Sequence, residues 1–216
     1  MIQRDLYYLN ELGGKFNLTQ IKDRATAQTT NGYCYLEISD DNNKQFNEGF
    51  FKFTGKGTLD EVILPKGYEI RTTDGEIIAT YLNNEPFKTL IGEQGEFYAT
   101  FDREELLFYL KYYLSTWRIA DSDKYKLVFH RDDDCWRLRG YNRNKIKVKE
   151  LPILDTNVDT TFKFAVNPHT FRHILKWFEC DFVKLYFHNG NYTCRTAIFM
   201  HDNNKLAVLM PIARKK

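Results

Sequence analysis

Between residues 96 and 216 the same succession of patterns occurs twice. Any fold for this chain has to accommodate that duplication. The first copy opens on an alternating stretch, Glu96-Phe97-Tyr98-Ala99-Thr100-Phe101. Asp102 is placed to cap a helix, with Glu105 as the reciprocal partner of a capping box. In the following REELLFYLKYYLSTW, residues Leu106, Leu107, Leu110, Tyr113 and Leu114 fall on one helical face. Three strand-like runs come next, at 124–131, 135–141 and 145–151. In the last, Ile146 and Val148 alternate with Lys145, Lys147 and Lys149, which predicts a strand with one wet, basic face.

The second copy repeats the order. TFKFAV (161–166) reads as a strand, Asn167 as an N-cap and Pro168 as the first helical residue. Phe171, Ile174, Leu175 and Phe178 share a face of the helix over 169–179. Strand-like runs follow at 182–189, 192–200 and 205–212, with Asn189-Gly190 as a hairpin signal between the first two. Residues 96–216 therefore read as two β-α-β-β-β halves. Fusing them gives an α+β domain with sheets on the outside and two helices side by side on one face.

Residues 1–95 are less regular. A short helix is expected over 1–12, with Leu6, Tyr7, Leu9 and Leu12 as its apolar residues and Gly13-Gly14 as its stop. Strands are expected at 32–39, 49–55, 61–65, 68–73 and 76–82. The pattern changes near Gly92–Gly95, so the expected division is a reduced β-rich domain over 1–94 and the duplicated domain over 95–216.

Composition adds to this. Aromatic residues reach 16%, with 17 Phe, 14 Tyr and 3 Trp, enough to order a core and to argue against disorder. The net charge of +2 is an average: residues 1–95 carry 10 Lys/Arg against 14 Asp/Glu (−4), and residues 96–216 carry 21 against 15 (+6). Such a split fits a polyanion partner for the second part. No apolar run approaches the roughly 18–20 residues that would span a bilayer, and the N-terminus lacks the design of a signal peptide. The expectation is a cytoplasmic protein with no membrane partner. Cys34, Cys135, Cys180 and Cys194 show no C-x-x-C pair and are read as reduced thiols.

Several phrases in the second part resemble the last domain of the bacterial sliding clamp, the DNA polymerase III beta subunit family. Phe87-Lys88-Thr89-Leu90-Ile91-Gly92 is similar to the family's connector into that domain. Phe101-Asp102-Arg103-Glu104-Glu105-Leu106-Leu107 resembles the opening of its first helix, and Phe164-Ala165-Val166-Asn167-Pro168 its second strand-to-helix step. Ala207-Val208-Leu209-Met210-Pro211-Ile212 resembles the closing strand of the family, in sequence and in position. Earlier in the chain, Thr29-Thr30-Asn31-Gly32-Tyr33 is similar to a family turn, with Cys34 where the family usually has Arg. The family has three domains per chain, and this chain has room for two.

The resemblance implies a DNA-clamp-like fold and a ring around duplex DNA that tethers a polymerase. The inner helices would hold phosphates without reading bases, through Arg103, Lys111 and Arg118 on the first helix and Arg172, His173 and Lys176 on the second. A groove between the family's middle and last domains receives peptides from DNA polymerase and clamp loader. It would use Thr89, Leu90, Val208, Met210, Pro211 and Ile212, with Thr30, Gly32 and Tyr33 as further positions. Two domains per chain would make the ring a homotrimer closed by edge strands.

Catalytic patterns are missing: there is no P-loop, G-x-S-x-G, H-E-x-x-H or zinc spacing. His130 and Asp132-Asp133-Asp134 could bind a hard cation, but neighbours along a strand point to opposite faces, and an acidic turn is the expected reading. His169 and His173, one helical turn apart, have no third ligand. No enzyme activity, cofactor or metal is expected. Three readings stand: a sliding-clamp-like processivity factor, a clamp-like interaction module that binds replication partners without encircling DNA, and a small metal-dependent nuclease built on His130 and Asp132–Asp134.

Overall fold

The computed structural model describes residues 3–14, 16–21, 24–31, 34–40, 49–54, 58–61, 68–71, 77–81, 94–115, 126–142, 145–194 and 196–212. The chain divides into two compact units. One comprises Met1–Glu93 with Asn203–Val208, the other Gln94–Asp202 with Leu209–Lys216. No helix among the described residues is long and apolar enough to cross a membrane.

The first unit begins with α1 (Gln3–Gly13). Gly14, at φ +71°, closes it, and its N–H returns to the carbonyl of Asn10 at 2.7 Å. That left-handed geometry is what glycine supplies after a helix. Five strands follow: β1 (Phe16–Ile21), β2 (Arg24–Thr30), β3 (Cys34–Asp40), β4 (Gly49–Thr54) and β5 (Thr58–Glu61). β6 (Tyr68–Arg71) and β7 (Ile77–Tyr81) pair as a separate antiparallel ribbon. The hairpin β1–β2 was not among the expected strands. Its sequences, FNLTQI and RATAQTT, are too polar to show a hydrophobic alternation.

In the second unit, β8 (Phe97–Asp102) leads into α2 (Arg103–Ser115). Then come β9 (Lys126–Arg131), β10 (Cys135–Asn142), β11 (Lys145–Pro152) and the two-residue β12 (Asp155–Thr156). The second half supplies β13 (Lys163–Val166), α3 (Pro168–Trp177), β14 (Phe182–Phe187) and β15 (Ile198–Asp202). After a turn that holds Asn203 at φ 53°, β16 (Lys205–Leu209) follows.

Within the first unit the strand order is β16-β3-β2-β1-β4-β5. Residues 205–208, expected in the last strand of the second half, thus group with the first unit, together with Asn203 and Asn204 of the turn before them. The backbone N–H of Ser39 donates to the carbonyl of Asn204 at 3.0 Å, and the Asn204 amide donates to the Ser39 carbonyl. Asp5 of α1 meets Lys205 of β16 at 3.2 Å, with both side chains only 7% exposed.

The second unit shows the duplication directly. Its sheets run β12-β8-β14-β15 and β11-β10-β9-β13. The first strand of each half sits in the other half's sheet: β8 pairs with β14 from Phe97↔Phe187 to Asp102↔Phe182, and β13 pairs with β9 from Lys163↔His130 to Val166↔Leu127. Rings from both sheets and from α3 fill the core. Phe129 and Phe164 stack at 4.5 Å, Phe162 and Phe187 meet at 4.7 Å, Phe101 and Trp136 at 5.1 Å, and Phe129 and Phe171 at 5.8 Å. Each such pair contributes about 0.5–1.5 kcal/mol beyond its burial. Gly140 of β10 is the floor on which the Tyr113 ring of α2 rests; a Cβ there would lie 1.7 Å from that ring.

Three local expectations change. At Val148 and Lys149 of β11 the expected faces are inverted: Lys149, opposite buried Leu138, reaches the Glu105 carboxylate at 3.2 Å with its side chain 43% exposed, and Val148, opposite Arg139, is 53% exposed. The lysine turns toward the helices because a carboxylate there neutralises it. Second, the run 192–200 is a strand only from Ile198. Tyr192 takes a φ of 54°, and its carbonyl accepts from Lys163 N–H, while Cys194 N–H donates to the Lys163 carbonyl, so this stretch lies along β13. Third, the run 205–212 stops being a strand after Leu209, and Ile212 N–H donates to the Ala165 carbonyl at 2.8 Å.

Candidate nucleic-acid interface

The candidate surface is carried by α2 and α3, which pack against each other. α2 starts where Asp102 accepts the N–H of Glu105 at 2.8 Å. The return arm of the expected capping box is diverted, because the Glu105 carboxylate pairs with Lys149. Leu106, Tyr109, Leu110 and Tyr113 are buried, and burial pushes the Tyr109 hydroxyl up to about 12. α3 starts at Asn167, whose side chain accepts from His169 N–H at 2.9 Å and Thr170 N–H at 3.3 Å, with Pro168 next. Its expected apolar face is buried, joined by Trp177, which has the same helical spacing from Ile174 and was missed.

The six expected phosphate-binding residues divide. Lys111 and Lys176 are exposed, and Arg172 and His173 are half-buried. Arg103 is occupied: its Nε donates to the carbonyl of Leu175 at 2.7 Å, and a terminal nitrogen meets the Glu104 carboxylate. That makes it a strut from the start of α2 to the last turn of α3. Arg118 lies outside the described residues. The wet side of α2 also carries Glu104, Phe108 and Tyr112, the two rings being 75% and 54% exposed. Sequence reasoning did not single them out, although the spacing that gives the apolar face Leu106, Leu107, Leu110, Tyr113 and Leu114 leaves all three off it.

The expected peptide-binding residues are distributed as follows. Val208 is buried at 3% exposure on β16, Met210 is 47% exposed, and Pro211 and Ile212 are half-buried. Thr30 is half-buried and bonds the carbonyl of Cys34 at 2.7 Å. Thr89, Leu90, Gly32 and Tyr33 lie outside the described residues.

The acidic run is a turn. Asp132 N–H donates to the Cys135 carbonyl at 2.9 Å, its carboxylate pairs with Arg137 at 2.7 Å, and Asp133 and Asp134 point to solvent. Among the described residues no three His, Cys, Asp or Glu side chains converge as metal ligands. All four cysteines are free thiols, and burial raises those of Cys34, Cys180 and Cys194, which makes them poor nucleophiles.

No family model matches the chain, and no curated protein matches it in sequence. Solved structures do match in fold. The DNA polymerase sliding clamp from Bacillus subtilis aligns with 99% of this chain at a TM-score of 0.70 and 9% identity. The DNA polymerase III subunit beta from Pseudomonas aeruginosa aligns with 99% at 0.67 and 12%, and that from Thermotoga maritima with 99% at 0.67 and 14%. This chain spans 62%, 65% and 63% of those three chains, less than two thirds of their length. The duplicated halves, outer sheets and paired helices are therefore those of a sliding-clamp fold.

Proposed function

We propose that this chain is a sliding-clamp-like DNA polymerase processivity factor. The observation that carries the reading is the fold match over 99% of the chain to sliding clamps. In this reading the second unit is a clamp-like domain and the first a reduced one. Duplex DNA lies along α2 and α3, held by Lys111, Arg172, His173 and Lys176 through salt-dependent attraction to phosphates. Met210, Pro211 and Ile212 offer the accessible residues for polymerase and clamp-loader peptides, a use that suits the adaptable Met side chain. The function is topological and involves no catalytic step.

Light scattering tests the ring: a two-unit chain closes six units as a trimer, and a monomer at every attainable concentration overturns closure in free solution. Retention on circular but not linearised DNA tests encirclement directly. Arg172→Glu combined with Lys176→Glu should weaken DNA association, with a shallower salt dependence. Unchanged binding removes the helices from the interface.

A second reading has its own support. Glu104, Phe108 and Tyr112 on the wet side of α2 are unlike a phosphate-facing wall, and Arg103 is spent inside the unit. A clamp-like module that binds replication partners without encircling DNA accommodates both. It predicts a monomer or dimer with no preference for circular DNA.

A further inference from the structure

The sheet β11-β10-β9-β13 has one face on the core, through Leu127, Phe129, Leu138 and Phe164. Its other face carries a cluster of cations that the clamp reading does not use. The register puts Arg137, His130 and Lys163 in one row across three strands. Arg139 stands in the next row, between Val148 and Val128.

The charges in this cluster are unequally compensated. Arg137 is neutralised by Asp132 at 2.7 Å and by Glu150 at 3.5 Å. Arg139 and Lys163 have no carboxylate partner among the described residues, and the Arg139 Nε is buried without a hydrogen-bond acceptor. His130 feels the excess: desolvation, then the Arg139 charge, lowers its pKa, with Lys163 and Arg137 adding to the effect and Asp132 opposing it. Arg139 on β10 and Lys163 on β13, with β9 between them, leave a positive excess on this face, so the arrangement favours a ligand that brings negative charge.

We propose that this outer face binds an acidic, extended peptide segment whose carboxylates alternate with aliphatic residues. Arg139 lies diagonally from His130, about 7–8 Å away for such a pair, and an extended chain repeats its side chains on one face every ~7 Å. Val148, 53% exposed, and half-buried Val128 flank Arg139 in its row and pack against the methylene groups of the glutamate that reaches it, while the intervening aliphatic residues face away from the sheet. A nucleic acid is the poorer fit: stable backbone binding neutralises about 6–10 phosphates, and this patch offers three cationic groups set among apolar ones.

The test uses the full chain and a fluorescein-labelled peptide, Glu-Val-Glu-Leu-Glu-Val, read by fluorescence anisotropy at low salt. The peptide should bind, a Gln-for-Glu version should not, and 0.5 M salt should release it. Arg139→Glu should weaken binding at least tenfold, while Lys111→Glu on α2 should leave it unchanged. Lys163→Glu, at an exposed position, gives the same readout with less risk to folding. Equal binding of the Gln peptide, or affinity unchanged in both variants, overturns the proposal. So does a loss of duplex-DNA binding, or of self-association, on Arg139→Glu without an effect on the peptide; those outcomes assign the face to nucleic acid or to a second copy of this chain.

Discussion

In the second unit the space between the sheets is filled by rings, with Phe101, Phe129, Trp136, Phe162, Phe164 and Phe187 in mutual contact. In the first unit the buried neighbours across β2 and β3 include Gln28, Glu37, Tyr35, Thr26 and Ser39. Gln28 donates to Glu37 at 3.0 Å, the Tyr35 hydroxyl donates to the same carboxylate, and the Thr26 and Ser39 hydroxyls lie 3.4 Å apart. Leu9, Phe16, Ala27, Leu36 and Ile38 give the first unit an apolar core as well, so the contrast lies in the polar layer that it adds between β2 and β3. Apolar burial is non-directional and scales with area at ~25 cal/mol per Å². A buried hydrogen bond contributes only about 0.5–1.5 kcal/mol net, yet breaking one end costs more, because its partner stays desolvated. The ring core of the second unit should tolerate imperfect geometry better than imperfect volume, and the polar layer of the first the reverse.

Removing volume from the ring core should have the largest effect. Phe129 touches Phe101, Phe164 and Phe171, so Phe129→Ala should cost about 3–5 kcal/mol in urea unfolding. Hydrogen exchange should show lost protection in β8–β15 first; a cost below ~1 kcal/mol would mean that the rings do not hold that unit together. Next comes the buried pair of the first unit. Asp5→Ala takes this carboxylate from buried Lys205 and should cost about 3 kcal/mol. Replacing both, as Asp5→Leu with Lys205→Met, should recover most of that loss in the same measurement. The smallest effect, and the sharpest for the comparison, is in the polar layer. Gln28→Ala should cost about 1–2 kcal/mol, whereas replacing the network together, Gln28→Val with Glu37→Val and Tyr35→Phe, should cost less. A triple variant worse than the single would show that the network specifies the first unit's sheet beyond satisfying itself.

The same contrast explains what could be read from the sequence. In the second unit, order, caps and helix faces were legible, because the core is apolar and periodicity records it: Asp102, Asn167, Phe171 and Ile174 behave as their spacing says. β1 and β2 were not legible, because buried Gln28 and Thr26 look like surface residues until their partners across the sheet are known. The phase of β11 was misread for a related reason. Alternation gives two faces but not which one is inside, and Lys149 is drawn in by Glu105, a residue 44 positions earlier. Among the site residues, spacing placed Lys111, Arg172, His173 and Lys176 on the helices. It could not tell that Arg103 is consumed by the Leu175 carbonyl, which only the packing of α2 on α3 brings within reach.

The crossed pairing of β8 with β14 and of β13 with β9 carries a consequence for how the second unit holds together. Neither half owns a complete sheet, so neither has a folded state to fall back on once separated. A nick at the exposed Thr160–Thr161 link would leave two fragments that complement each other and reassemble when mixed, and each alone would collect a second copy of itself by swapping its leading strand. The peptide link between the halves acts as a tether that sets their effective concentration, and the interlock itself lies in the strands.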